Sequence, residues 1–287
     1  MMSSCHVGAV AIFPITVALH VFPDADPILK DQRSRQRILE TSCRQRNLTN
    51  PSKRITSFLS NRLFVEPRHK FIFCEVPKVG CSNWKRVMFL LTTNLSTKAE
   101  HIQHDAIHQT RLLKRLSNFP PEQQQMMLRN YTKVMFTRDP LQRIVSAYRD
   151  KFLHSAGYYA TIANTIKSRF RESVNSEDAV TFQEFARYVL GENPRRMDIH
   201  WMPMHYLCDP CNVNYTILGK FETLKRDADY VLKTIGAPSD ISYPTIKRYN
   251  ESRTDASVSG EYFASLPPGL LERLFRLYKL DFELFDY

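Results

Sequence analysis

Pro77-Lys-Val-Gly-Cys-Ser-Asn83 lies between an apolar run, Lys70 to Val76, and a helical stretch from Trp84 to Leu91. These residue types suit the binding of a phosphate. The first backbone N–H groups of a helix have no intrahelical partner and carry the positive end of its dipole. Gly80 permits close backbone approach, Ser82 and Asn83 bring side-chain donors, and Lys78 brings a point charge. The spacing is not the GxxxxGK[ST] of a P-loop nucleotide phosphotransferase, which also needs a carboxylate for Mg²⁺. Taken alone, the loop also fits an ordinary strand-to-helix turn with a surface lysine.

A second turn strengthens the phosphate reading. Arg138 closes the apolar run Lys133 to Thr137, and Ser146 follows eight residues later. A guanidinium fork and a hydroxyl can grip one phosphate together. Arg143 and Arg149 add nearby positive charge, although either also suits a solvated helix face. Two phosphate-binding turns imply a nucleotide phosphorylated at both ends.

These turns need elements to hold them. Lys70 to Val76 reads as a buried strand, with Ser82 capping the helix that follows. Lys133 to Thr137 reads as a second strand, followed by a helix to about residue 154. On it Leu141, Ile144, Val145, Tyr148 and Phe152 form one apolar stripe. A third strand over Tyr215 to Gly219 leads into a helix from 222 to 235, and an amphipathic helix spans 267–285. Strands alternating with helices predict an α/β fold: three layers, with a central parallel sheet covered on both faces.

The composition fits such a domain. The chain has 287 residues, 43% of them hydrophobic, with few glycines and no repeat, which excludes a disordered or solenoid protein. Forty Lys and Arg against 29 Asp and Glu give a net charge of +11, favouring anionic partners. Six cysteines lack zinc-ribbon spacing. The close pair Cys208 and Cys211 suits a redox pair, a local disulfide, or halves of two longer bridges. Five Asn-x-Ser/Thr sequons, at Asn47, Asn94, Asn130, Asn214 and Asn250, lean towards the secretory pathway. Residues 1–22 are expected to act as a signal-anchor, although Pro14 breaks their apolar run and no basic tail precedes it. Residues 23–60 are expected as a polar stem, and 61–287 as the catalytic domain.

VPKVGCSNWKRV at 76–87 resembles the 5′-phosphosulfate loop of the Golgi carbohydrate sulfotransferases, and RDPLQRIVSAYRDKF at 138–152 resembles their 3′-phosphate motif. Asp198 to Trp201, Leu207 to Cys211, Gly219 to Leu224 and Leu280 to Tyr287 are similar to later blocks of that family. The likeness covers about 62–287 and looks closest to the N-acetylgalactosamine 4-O-sulfotransferases. The HNK-1-type glucuronyl 3-O-sulfotransferases and the chondroitin/dermatan members come next. It implies a sulfotransferase fold with P-loop-like turns and a donor, 3′-phosphoadenylyl sulfate (PAPS).

Pro77, Lys78, Val79, Gly80, Cys81, Ser82 and Asn83 would then hold the 5′-phosphosulfate. Arg138, Asp139, Pro140, Leu141, Gln142, Arg143, Ile144, Val145 and Ser146 would hold the 3′-phosphate. Lys78 would act at the bridging oxygen. A base must take the acceptor proton, and the family's use of a histidine between the two motifs points to His108, with His104 and His200 as alternatives. Trp201 would stack on a sugar or belong to the core, and Cys208 and Cys211 would be disulfide-bonded rather than catalytic. The resemblance implies a glycan acceptor, a Golgi membrane address with a lumenal catalytic domain (single-pass type II), no metal and no nucleic-acid partner. A competing reading is a non-catalytic protein that binds anionic glycans.

Overall fold

The computed structural model describes residues 26–50, 52–95, 97–154, 157–172, 178–246 and 253–287. The expected anchor, 1–22, lies outside them. Among the described residues no helix is long and apolar enough to cross a membrane.

Five strands form one sheet: β1 (Leu63–Glu66), β2 (Phe71–Cys74), β3 (Lys114–Arg115), β4 (Thr132–Thr137) and β5 (Ile217–Lys220), in spatial order β3-β1-β2-β4-β5. The expected parallel sheet is its β2-β4-β5 half, with Phe71 opposite Thr132 and Val134 opposite Ile217. β1 and β3 add an antiparallel edge, so the whole sheet is mixed. All four β2 residues are fully buried, which accounts for their unbroken apolar run. Trp84 packs its ring 5.6 Å from Phe73 and 5.3 Å from Phe136, fixing the helix Cys81–Thr93 against β2 and β4.

The polar segment read as a stem contains the helix Pro27–Gln45, which packs on the domain. Its contacts with β5 are largely polar. Gln32 receives the Leu218 N–H at 3.0 Å and donates to the Leu218 carbonyl at 2.9 Å, pairing with an edge strand as a neighbouring strand would. Arg35 forms a 2.6 Å ion pair with the buried Asp227. Cys43 of this helix is bonded to Cys211, and Cys74 of β2 to Cys208. The Cys208 and Cys211 pair is thus divided between two long bridges. Cys81 is the free cysteine among the described residues.

Helix Pro140–Tyr148 does not continue regularly to residue 154. Arg149–His154 winds as a π-helix, which shifts the angular phase of every later side chain. Trp201 is a core residue, 1% exposed, with its ring N–H donated to Glu192 at 2.7 Å.

Candidate active site

A cleft of about 1080 Å³ opens at the C-terminal ends of β2 and β4, where open α/β sheets bind ligands. The first loop enters it through two left-handed residues, Lys78 at φ 71° and Gly80 at φ 91°. Gly80 has a further constraint: the Tyr243 hydroxyl, which donates to the Gly80 carbonyl at 3.0 Å, sits where a Cβ would project. The left-handed turn at Lys78 costs roughly 1 kcal/mol. Its ammonium donates to Asp150 Oδ2 at 2.9 Å, and Lys151 reaches the same oxygen at 3.2 Å. Burial draws the Lys78 pKa below that of an ordinary lysine, against the opposing pull of Asp150.

Arg138 reaches across to the first loop. It donates to the Lys78 carbonyl at 3.0 Å and to the Thr254 carbonyl, with its guanidinium 4.1 Å from the Phe221 ring centroid. Burial lowers its pKa to about 10, which leaves it cationic at neutral pH. Its Nε is buried with no hydrogen-bond partner among the described residues. Ser146 and Arg149 line the same part of the cleft, and Arg149 donates to Thr254 Oγ1 at 2.9 Å.

Of the expected cofactor residues, Pro77, Lys78, Gly80, Cys81, Ser82, Asn83, Arg138 and Ser146 line the cleft. The others support it from behind. Val79, Ile144 and Val145 are core side chains. Asp139 caps its helix by accepting from Gln142 N–H at 2.8 Å, and Pro140, Leu141 and Gln142 follow within that helix's first turn. Arg143 is buried and spends its guanidinium on the carbonyls of Pro77, Met202 and Ile199 at 3.0, 2.7 and 2.9 Å. It fastens the first loop to the 199–202 segment. Asn83 likewise donates to the Pro244 carbonyl at 2.9 Å and accepts from Arg86, so its amide is committed to the scaffold.

The three candidate histidines all line the cleft. His108 has both ring nitrogens engaged: Nε2 lies 3.1 Å from Ser82 Oγ and Nδ1 lies 3.2 Å from the Lys85 ammonium. An ammonium only donates, so Nδ1 accepts and Nε2 carries the proton. Lys85 is itself paired with the buried Glu75, which Arg62 also holds at 2.8 Å. His104 lies against His108, with ring centroids 4.5 Å apart and planes tilted by 41°. His200 is arranged differently. Its Nδ1 lies 2.7 Å from Asp198 Oδ1 and 3.0 Å from the Tyr159 hydroxyl, which donates on to Asp198 Oδ2 at 3.2 Å. Burial lowers the His200 pKa, with Asp198 pulling the other way. The neutral ring therefore gives its Nδ1 proton to Asp198 and keeps a lone pair on Nε2.

The sequence profile described as "Sulfotransferase family" matches residues 61–287. The chain belongs to the sulfotransferase family. It is 38% identical over 267 residues to the protein named carbohydrate sulfotransferase 8 of Homo sapiens, covering 90% of this chain and 63% of that protein. Carbohydrate sulfotransferase 9 of Homo sapiens is 38% identical over 265 residues, covering 89% and 60%. Carbohydrate sulfotransferase 14 of Danio rerio is 37% identical over 267 residues, covering 89% and 71%. The chain thus spans less than two thirds of the length of the first of these relatives. No solved structure matches it.

Sequence reading missed several residues of this cleft. Asp198, two positions before His200, was read only as part of the block Asp198 to Trp201, with no role of its own. Asp150 and Lys151 fall in the π-helical turn Arg149–His154, inside the 138–152 motif but with no role assigned to them there. Tyr159 and Tyr243 carried no local signal. Among the described residues no group of three or more His, Cys, Asp or Glu is placed to hold a metal ion.

Proposed function

We propose that this sulfotransferase takes sulfate from PAPS and places it on a sugar hydroxyl of a glycan. The position we propose is O-4 of N-acetylgalactosamine, on a glycoprotein or a chondroitin/dermatan chain. The observation that carries the reading is the link between the two phosphate-binding turns, where Arg138 bonds the Lys78 backbone at the head of one cleft.

The residues present fit a nucleotide phosphorylated at both ends. The unpartnered Arg138 Nε, with Ser146 and Arg149, suits the 3′-phosphate. The amides that open helix Cys81–Thr93, with Lys78 and Ser82, suit the 5′-phosphosulfate. When bound, PAPS supplies an activated sulfuryl group on an anionic leaving group. Lys78 and the loop amides stabilise the negative charge that develops there. Asp150 holds the Lys78 ammonium in place, and Lys151 shares the same carboxylate oxygen. For the base, His108 was the expectation from sequence, but its Nδ1 lone pair faces an ammonium. His200 is better poised: Asp198 fixes its tautomer, and Nε2 keeps the lone pair a hydroxyl proton needs.

The O-4 position rests on motif likeness, and the HNK-1-type glucuronyl 3-OH is the alternative. A Golgi lumenal address, with 1–22 as a type II anchor, belongs to the same proposal. Two disulfides support an oxidising compartment. The sequons at Asn47, Asn94, Asn130 and Asn214 are exposed.

Calorimetric titration with adenosine 3′,5′-bisphosphate tests the nucleotide assignment. Saturable binding that Arg138→Ala abolishes is the expected result. Equal binding by both proteins would remove Arg138 from the 3′-phosphate site.

A further inference from the structure

A second, shallower groove of about 440 Å³ lies away from the cleft, where three helices meet. Helix Ala160–Phe170 contributes Arg169, helix Phe182–Gly191 contributes Arg187, and helix Pro268–Phe285 contributes Arg273. All three side chains are exposed. Neighbouring arginines are neutralised, Arg171 by Glu184 and Arg276 by Glu272, each at 2.5 Å. None of the ion pairs among the described residues involves Arg169, Arg187 or Arg273. Phe170, Pro267 and Leu270 give the groove apolar walls, and Arg169 lies against the Phe170 ring at 5.7 Å. Gly191 makes room for that arrangement, since a Cβ there would stand 3.1 Å from the Arg169 guanidinium.

We infer that this groove is an exosite for an anionic glycan chain, so the acceptor is a polymer carrying repeated sulfate or carboxylate groups. The inference rests on the function proposed above and narrows its substrate class. Guanidinium forks match sulfate and carboxylate oxygens bidentately, which lysine cannot do. Apolar walls beside them suit the ring faces between the charged groups. The groove's position also fits. Helix Ala160–Phe170 starts beside Tyr158 and Tyr159, which line the active-site cleft, and Tyr158 is 93% exposed at its lip. Arg169 lies ten residues beyond Tyr159, about 15 Å along the helix. One extended chain can therefore occupy cleft and groove together, and the second contact forms at high effective concentration. A short acceptor reaches the cleft alone.

The test compares the full chain with R169Q/R187Q/R273Q and the charge-conserving R169K/R187K/R273K, using long chondroitin sulfate chains and a chondroitin tetrasaccharide. Direct binding of the labelled long chain is measured first, then sulfate transfer to each acceptor. The glutamine variant is expected to bind the long chain at least about tenfold more weakly, through three lost charge-assisted forks. Its KM for that chain should rise in parallel, with kcat and all tetrasaccharide kinetics unchanged. The lysine variant, which keeps the charge and reports on folding, should recover only part of the loss. Equal long-chain binding by the wild-type and glutamine proteins would overturn the exosite. If the wild-type protein transfers sulfate to neither acceptor yet shows this binding difference, the exosite stands and the proposed acceptor fails.

Discussion

The Arg138 guanidinium donates to the backbone carbonyl of Lys78 across 3.0 Å, joining the ends of two adjacent parallel strands. The residue assigned to one end of the nucleotide thus positions the loop assigned to the other. Losing it should damage both.

Lys78→Ala is expected to lower kcat by roughly 10²- to 10³-fold, the usual scale for removing one charge-stabilising donor, while adenosine 3′,5′-bisphosphate still binds. Arg138→Ala should abolish nucleotide binding as well, and Arg138→Lys should not restore it, since a point charge cannot replace the fork. Turnover assays paired with calorimetry check both. Near-normal turnover in either variant would contradict the assignment.

His200→Ala should lose roughly 10²- to 10⁴-fold in kcat and retain nucleotide binding. Burial lowers the His200 pKa, so the acid limb of the kcat–pH profile should fall below the ordinary histidine range. Asp198 favours the charged ring. Asp198→Asn should therefore move that limb to still lower pH and reduce kcat by disturbing the tautomer. A larger loss in His108→Ala than in His200→Ala would return the base to His108.

Burial raises the Glu75 pKa, but Lys85 and Arg62 outweigh that effect and hold it below the usual carboxylate value. A depressed folded pKa stabilises the protein above the unfolded value, and that contribution is lost as pH falls through the folded one. Thermal melting across the acid range should therefore show stability declining below about pH 4.5, the ordinary glutamate value. In Lys85→Met the folded Glu75 pKa moves up towards the unfolded value, so this acid-range decline should be smaller. Identical acid limbs in the two proteins would show that the pair contributes nothing to stability.

Cys43→Ser should destabilise the protein by about 2–4 kcal/mol, because the Cys43–Cys211 bridge closes a long loop. A chain starting at residue 61 lacks that bridge and the Gln32 and Arg35 contacts to β5 and Asp227. It should melt at lower temperature than the full chain, and equal melting would show the helix Pro27–Gln45 to be dispensable.

That helix also marks where sequence reading stops. The β2, β4 and β5 strands, the loops after β2 and β4, and the stripe from Ile144 to Phe152 were legible, because each is a short apolar run or a helical repeat beside a chemically distinctive turn. Helix Pro27–Gln45 was not, since its buried face mixes Gln32 and Arg35 with only Ile28, Leu39 and Cys43 and so makes no continuous apolar stripe. β1 and β3 were missed because antiparallel edge pairing leaves little trace in runs this short. Within the site, Lys78, Arg138 and Ser146 carried their own signals. Asp150, Tyr159 and Asp198 gain their roles only when the π-helix and the 199–202 segment fold against the first loop. Arg143 and Asn83 sat in the right motifs, but packing turned their polar atoms onto backbone.

The most direct measurement is transfer of radiolabelled sulfate from PAPS by the secreted wild-type chain and by Lys78→Ala. The acceptor panel holds N-acetylgalactosamine-terminated N-glycan, chondroitin, dermatan and glucuronyl-lactosamine. Label on at least one glycan with the wild-type protein, reduced at least about 10²-fold by the substitution, is the expected result. Folded wild-type protein that labels no acceptor and binds no adenosine 3′,5′-bisphosphate would contradict the proposed function.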